Sequence, residues 1–251
     1  MNTTLNAAMV FACLFGAVSL GRWIRRQLPD RHLNADTKDT VKLAMGLVTT
    51  MSALLLGLLV SSAKGSYDTA RSEVIQMAAK TVFVNRVLAL YGPETAEVQN
   101  QFRASVEEAV RRVWPGGQHL PSDLSPNTGA GDRMYVAIQN LSPQNDLQRS
   151  LKVQAASLVV ELAQLRTLLL AQSVSSISKP LLIMVVFWLV VIFLSFSLLA
   201  PSNVISMVAL VSSALSVSGA IFLILELDRP FGGLIQISSE PMLNVLNQLA
   251  K

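Results

Sequence analysis

The chain has 251 residues, of which 51% are hydrophobic and only 14% charged, against roughly 25% charged in an ordinary soluble protein, which points to a membrane protein. A net charge of +4 does not argue for nucleic acid, because many of the basic residues sit in one short loop between apolar segments, where membrane topology accounts for them. The lone cysteine, Cys13, lies in an apolar segment; it excludes an intramolecular disulfide and a thiolate zinc site, and reads as a small apolar filler.

Residues 5–20 contain no Asp, Glu, Lys or Arg and predict a first membrane span over about 5–21. A cleaved signal would place basic residues ahead of its apolar core. Here Arg22, Arg25 and Arg26 come after it, which favours a retained anchor. Those arginines, with Arg31, Lys38 and Lys42, fill the loop to a second span over 43–63. Positive loops resist export, so this loop is expected in the cytoplasm, with the amino terminus, the segment 64–179 and the carboxyl tail outside.

From Tyr67 a seam of Ala70, Val74, Met77, Thr81, Val84, Leu88 and Tyr91 repeats at steps of three and four. It predicts a helix continuing from the second span to Gly92-Pro93, where a glycine cap and a proline close it. A second helix should present Val98, Phe102, Val106, Ala109 and Val113 on one face and end at Trp114-Pro115-Gly116-Gly117. Residues 118–131 read as an exposed loop, followed by a short helix over about 133–141. Asn145 or Asp146 should cap a last long helix, with a seam of Leu151, Ala155, Leu158, Leu162, Leu165, Leu169, Gln172 and Ser176. The two long seams read as core packing within one chain, an inter-subunit coiled coil being the alternative. The predicted fold class is all-α: four transmembrane helices, with a large extramembrane helical bundle inserted between spans two and three.

Residues 180–225 form the second transmembrane pair, with spans over 181–199 and 204–225 and a turn at Ala200-Pro201-Ser202-Asn203. Down the fourth span runs a stripe of small side chains: Ser202, Ser206, Ala209, Ser213, Ser216 and Ala220. Such a stripe either lets helices approach closely or lines a polar path. At its end Glu226 and Asp228 stand beside Arg229; they form either a local salt bridge or, around a symmetric oligomer, an acidic ring at a pore mouth. Pro230 should end the helix, while Gly232 and Gly233 turn the chain so that Leu234, Ile235 and Ile237 anchor the tail 226–251 in the interface.

Catalytic chemistry leaves no constellation. His32 and His119 stand far apart in sequence, with no second imidazole or thiol at ligand spacing, and adjacent Glu107 and Glu108 face different directions on a helix. No phosphate-binding glycine motif occurs. The expectation is a protein that is not an enzyme and takes no metal and no cofactor.

The run Leu227-Asp-Arg-Pro-Phe-Gly-Gly233, followed by Ile235-Gln-Ile-Ser-Ser-Glu-Pro241, resembles the carboxyl-terminal signature of the bestrophin-like domain family of bacterial and plant membrane proteins. The order of elements agrees, including a Leu90-Tyr91 pair and Trp114-Pro115 in the helical insert. The resemblance makes Arg229, Pro230, Phe231, Gly232 and Gly233 structural signature residues, and implies a relation to bestrophins, which are oligomeric ion channels. It carries no anion selectivity over, since no ring of pore phenylalanines can be matched and the charges at the expected mouth are acidic. The expectation is therefore a homo-oligomeric channel of a bacterial inner membrane, whose partners are the lipid bilayer, its own copies and monovalent ions, with cations slightly favoured and no nucleic acid. Ser206, Ala209, Ser213, Ser216 and Ala220 would line the pore, and Glu226 and Asp228 would ring its mouth. The alternative is a non-conducting membrane sensor or assembly module whose helical domain binds a partner.

Overall fold

The structure, a computed structural model, describes residues 3–27, 35–115, 128–172, 177–201 and 203–250, and among them every regular element is helical. Arg31, His32, His119, Ser176 and Ser202, and most of the loop read over 118–131, lie outside the described residues. Eight α-helices follow in order: α1 (Thr3–Gln27), α2 (Ala35–Tyr91), α3 (Ala96–Val113), α4 (Thr128–Gln139), α5 (Asp146–Gln172), α6 (Lys179–Leu199), α7 (Val204–Leu227) and α8 (Glu240–Leu249). Five of them, α1, α2, α5, α6 and α7, are long and apolar enough to cross a membrane. That is one more than the uncharged runs of the sequence suggested, because the leucines and alanines of the α5 seam outweigh its few charges.

The chain divides into two compact units, Met1–Ser66 with Ser175–Asp228, and Tyr67–Val174 with Arg229–Lys251. The first holds α1, the beginning of α2, α6 and α7, packed around Leu14, Val18, Leu59, Ala63, Val185, Leu189, Phe193, Ala214, Ile221 and Ile224. At one level α1 and α6 touch backbone to backbone. A Cβ built on Gly21 would come within 2.7 Å of the Leu194 carbonyl oxygen, so glycine is required by the close approach. Beside it the buried hydroxyl of Ser197 donates to the carbonyl of Val18 at 2.6 Å, the small-residue and hydroxyl contact typical of helices packed in lipid. Large apolar side chains such as Leu43, Leu47, Leu54, Leu58, Val204 and Ile205 point outward, as they would in an apolar solvent rather than water. Cys13 also lies on the exposed side of α1, so it fills no core position.

The second unit is built on the rest of α2, which runs unbroken to Tyr91 and stops where Gly92 adopts φ 134. Thr95 locks this corner: its buried hydroxyl lies within hydrogen-bond distance of the carbonyls of Leu88 (2.7 Å) and Gly92 (2.8 Å). Ala70, Val74, Thr81, Val84, Leu88 and Tyr91 of the α2 seam are all buried. On α3 the buried line is Val98, Phe102, Val106 and Val110; Ala109 and Val113 flank it, because the face advances by steps of four instead of drifting to three. Asn145, one of the two expected caps, accepts the N–H of Gln148 at 2.8 Å and starts α5. α4 begins at Thr128, inside the stretch read as loop. Leu151, Ala155, Val159 and Leu169 of α5 and Met134 and Ile138 of α4 complete the core, together with Met242 and Val245 of α8, which carries the end of the tail.

Candidate functional site

Asn203 opens α7 by accepting the N–H of Ser206 on its side-chain oxygen at 2.8 Å. Along the helix Ala209, Ser213 and Ser216 are exposed, while Ser206 and Ala220 are partly buried at the margins of the same face. The opposite face, Ala214, Ser218, Ile221 and Ile224, is buried in the first unit. Ser216 and Ser218 donate their hydroxyls to the carbonyls of Ser212 and Ala214, at 2.9 and 2.8 Å, so these groups are satisfied on their own helix. The small stripe expected from the sequence therefore lies on the outward face, with one further serine, Ser218, turned inward.

The acidic residues at the end of α7 differ from each other. Glu226 is buried, with 2% of its surface exposed, whereas Asp228 is half-buried and serves as the C-cap. Of the two, Asp228 is the one that presents surface. These two residues close the first unit and Arg229, which is exposed, opens the second.

The rest of the signature makes a tight structural knot in the second unit. The N–H of Gly232 donates to Arg229 O at 3.1 Å, Gly233 takes φ 111, and the N–H of Ile237 returns to Pro230 O at 2.8 Å. A φ of that sign is open to glycine at no steric cost. Phe231 is buried and meets Trp114 edge to face, ring centres 6.0 Å apart, and the indole Nε1–H of Trp114 donates to Ile237 O at 2.8 Å. Tyr67 reaches Gln236 O at 3.4 Å. Ile237 is 3% exposed and belongs to the core. The expected interfacial anchor therefore loses Ile237: the turn folds that residue into the core of the second unit, leaving Leu234 outward.

Against this knot lies a small cavity of about 70 Å³, lined by Val74, Met77, Val110, Trp114, Phe231 and Met242, with Arg112 and Arg166 also on its wall. Arg112 is ion-paired with Glu108 one turn back. The sequence had marked Trp114 and Phe231 separately; that they form one contact has no local signal, since they stand 117 positions apart. Among the described residues no group of His, Cys, Asp and Glu is placed to hold a metal ion. Residues 12–242, nearly the whole chain, match the family model described as Bestrophin-like domain. No curated protein and no solved structure matches the chain.

Proposed function

The chain belongs to the bestrophin-like domain family, and from that membership we propose that this integral membrane protein is a homo-oligomeric ion channel of a bacterial inner membrane, passing monovalent ions with cations slightly favoured. The observation that supports it is the outward face of α7. Ala209, Ser213 and Ser216, with Ser206 and Ala220 beside them, give an otherwise apolar helix a small, hydroxylated side that is open in the separate protomer. Copies arranged around an axis would enclose it as a polar path. Asp228, partly exposed at the end of the same helix, would place a ring of carboxylates at the mouth.

In this reading the spans are α1, the first part of α2, α6 and α7, with the amino terminus and the helical unit outside. α5 is long enough to cross, yet it carries Lys152, Glu161 and Arg166 and shares a core with α3, whose other face holds Gln101, Arg103, Glu107 and Arg111. Charged groups of that number are costly in hydrocarbon, so α5 belongs to the extramembrane bundle. The protein is not an enzyme on this reading, and the helical unit, joined to α6 through α5 and to the first unit through α2, would act on gating.

Purified protein in liposomes tests the proposal: monovalent cation flux is expected, reduced by Ser213→Leu or Ser216→Phe. Passage of no monovalent ion at any voltage, pH or calcium level overturns it.

A second reading is favoured by the burial of Glu226 and by the serine hydroxyls closed on their own backbone. Here the stripe packs helices of neighbouring copies, and the protein is a non-conducting sensor or assembly module. Water-accessible α7 faces around a symmetric axis would decide for the channel, and a sealed face for the module.

A further inference from the structure

The end of α1 places a cation where no anion among the described residues answers it. Arg22 follows Gly21, and Gly21 is pinned to α6 by the Leu194 carbonyl and by the Ser197 to Val18 hydrogen bond. The backbone carrying Arg22 is therefore held in place. Its Nη1 donates to the thioether sulfur of Met207, in the first turn of α7. A thioether is a weak acceptor, and a guanidinium carries five N–H donors in a planar fork. The other terminal nitrogen, Nη2, is buried and has no hydrogen-bond partner among the described residues. Leaving a buried charged donor unpaired costs more than leaving a neutral one.

The surroundings sharpen the mismatch. The first turn of α7 is the positive end of a helix of 24 residues, so the helix dipole repels the guanidinium instead of answering it. The N-cap residue Asn203 is neutral, and its side-chain oxygen is engaged by Ser206. An oxyanion at this place would satisfy the guanidinium and the dipole together.

The level along the helix indicates which oxyanion. The uncharged run of α1 ends at Leu20, Trp23 is 57% exposed and Arg26 is exposed, an aromatic and basic pattern that belongs to the headgroup zone of a bilayer. Val204 and Ile205 are 79% and 80% exposed, so the first turn of α7 is open to a molecule arriving from the lipid side. We propose that Arg22, seated against the first turn of α7, binds the phosphate of an anionic phospholipid headgroup, exchanging the Met207 sulfur for phosphate oxygens. Free inorganic phosphate has the same recognising chemistry, and the test separates the two. The site does not depend on whether the protein conducts.

Full-length protein in detergent is titrated with phosphatidylglycerol, with phosphatidylcholine and with inorganic phosphate, and bound molecules are counted by native mass spectrometry. Arg22→Gln is expected to weaken one phosphatidylglycerol site about tenfold. Arg26→Gln, which removes the same charge from an exposed position on the same helix end, should change it less than about twofold. Phosphatidylcholine, whose ammonium meets no acid there among the described residues, should bind more weakly and without regard to Arg22. Met207→Leu keeps the volume and removes the sulfur acceptor; it should leave phosphatidylglycerol binding equal or tighter, and it decides the matter should Arg22→Gln fail to fold. Equal losses in Arg22→Gln and Arg26→Gln, no loss in Arg22→Gln, or weaker binding in Met207→Leu overturn the site. Inorganic phosphate bound in an Arg22-dependent way, with phosphatidylglycerol indifferent to Arg22, overturns the lipid assignment.

Discussion

The indole Nε1–H of Trp114 donates to the carbonyl of Ile237 at 2.8 Å, across 123 positions of sequence. This bond, with the edge-to-face contact to Phe231, ties the end of α3 to the turn that begins the tail. Trp114→Phe keeps most of the ring and leaves a buried carbonyl without its donor, an expected loss of about 1–2 kcal/mol. Trp114→Ala removes the ring as well, and about 3–5 kcal/mol is expected. Thermal unfolding in detergent, followed by circular dichroism, ranks the two; an unchanged Trp114→Phe would mean that the bond contributes nothing.

Gly21 and Gly16 lie on one helix but in different surroundings. A Cβ at Gly21 would stand 2.7 Å from Leu194 O and 2.9 Å from Ser197 Cβ, whereas one at Gly16 meets nothing within 4 Å. Gly21→Ala should force α1 away from α6 and cost about 1–3 kcal/mol. Gly16→Ala should be neutral or stabilise by a few tenths of a kcal/mol. The comparison needs only the two melting temperatures, and similar values for both variants would contradict the close approach.

Lys80 of α2 and Glu161 of α5 form an ion pair whose side chains keep 28% and 42% of their surface. At that exposure solvent screens most of the attraction, and a double-mutant cycle with Lys80→Met and Glu161→Gln should give only a weak coupling. The coupling should shrink further as salt rises. A coupling that resisted high salt would place the pair in a far drier setting and count against an extramembrane α5.

On the channel reading, Asp228→Asn should move the reversal potential toward anions in a salt gradient, because the partly exposed carboxylate is the one able to act on passing ions. Glu226→Gln, at a buried position, should change thermal stability more than selectivity. The double variant should shift selectivity no further than Asp228→Asn alone. Unchanged selectivity in all three would remove the acidic mouth and leave these residues a structural role.

Much of this architecture is legible in the amino-acid order. The α2 seam from Ala70 to Tyr91 could be read from the period of the helix, Met77 being its one partly buried position, and the stop at Gly92-Pro93 because glycine admits the φ of 134 found there. The uncharged runs that became α1, α6 and α7 were equally visible, since hydropathy is a sum over neighbours in sequence. The α5 seam was legible too, but its composition alone did not separate a bundle helix from a spanning one.

What the order of residues determined by itself is thus everything that repeats locally: an all-α fold, the membrane-compatible helices, the seams, the caps and the signature turn. What tertiary structure decided is which faces meet. It turned Ser218 inward and Ser213 and Ser216 outward, buried Glu226 but only half-buried Asp228, set Gly21 against Leu194, drew Ile237 from the expected anchor into the core beside Trp114, and left Arg22 on a thioether. None of these has a local signal, because helical periodicity specifies which residues share a face, while the partner of that face is chosen by packing between segments that lie as much as 185 positions apart.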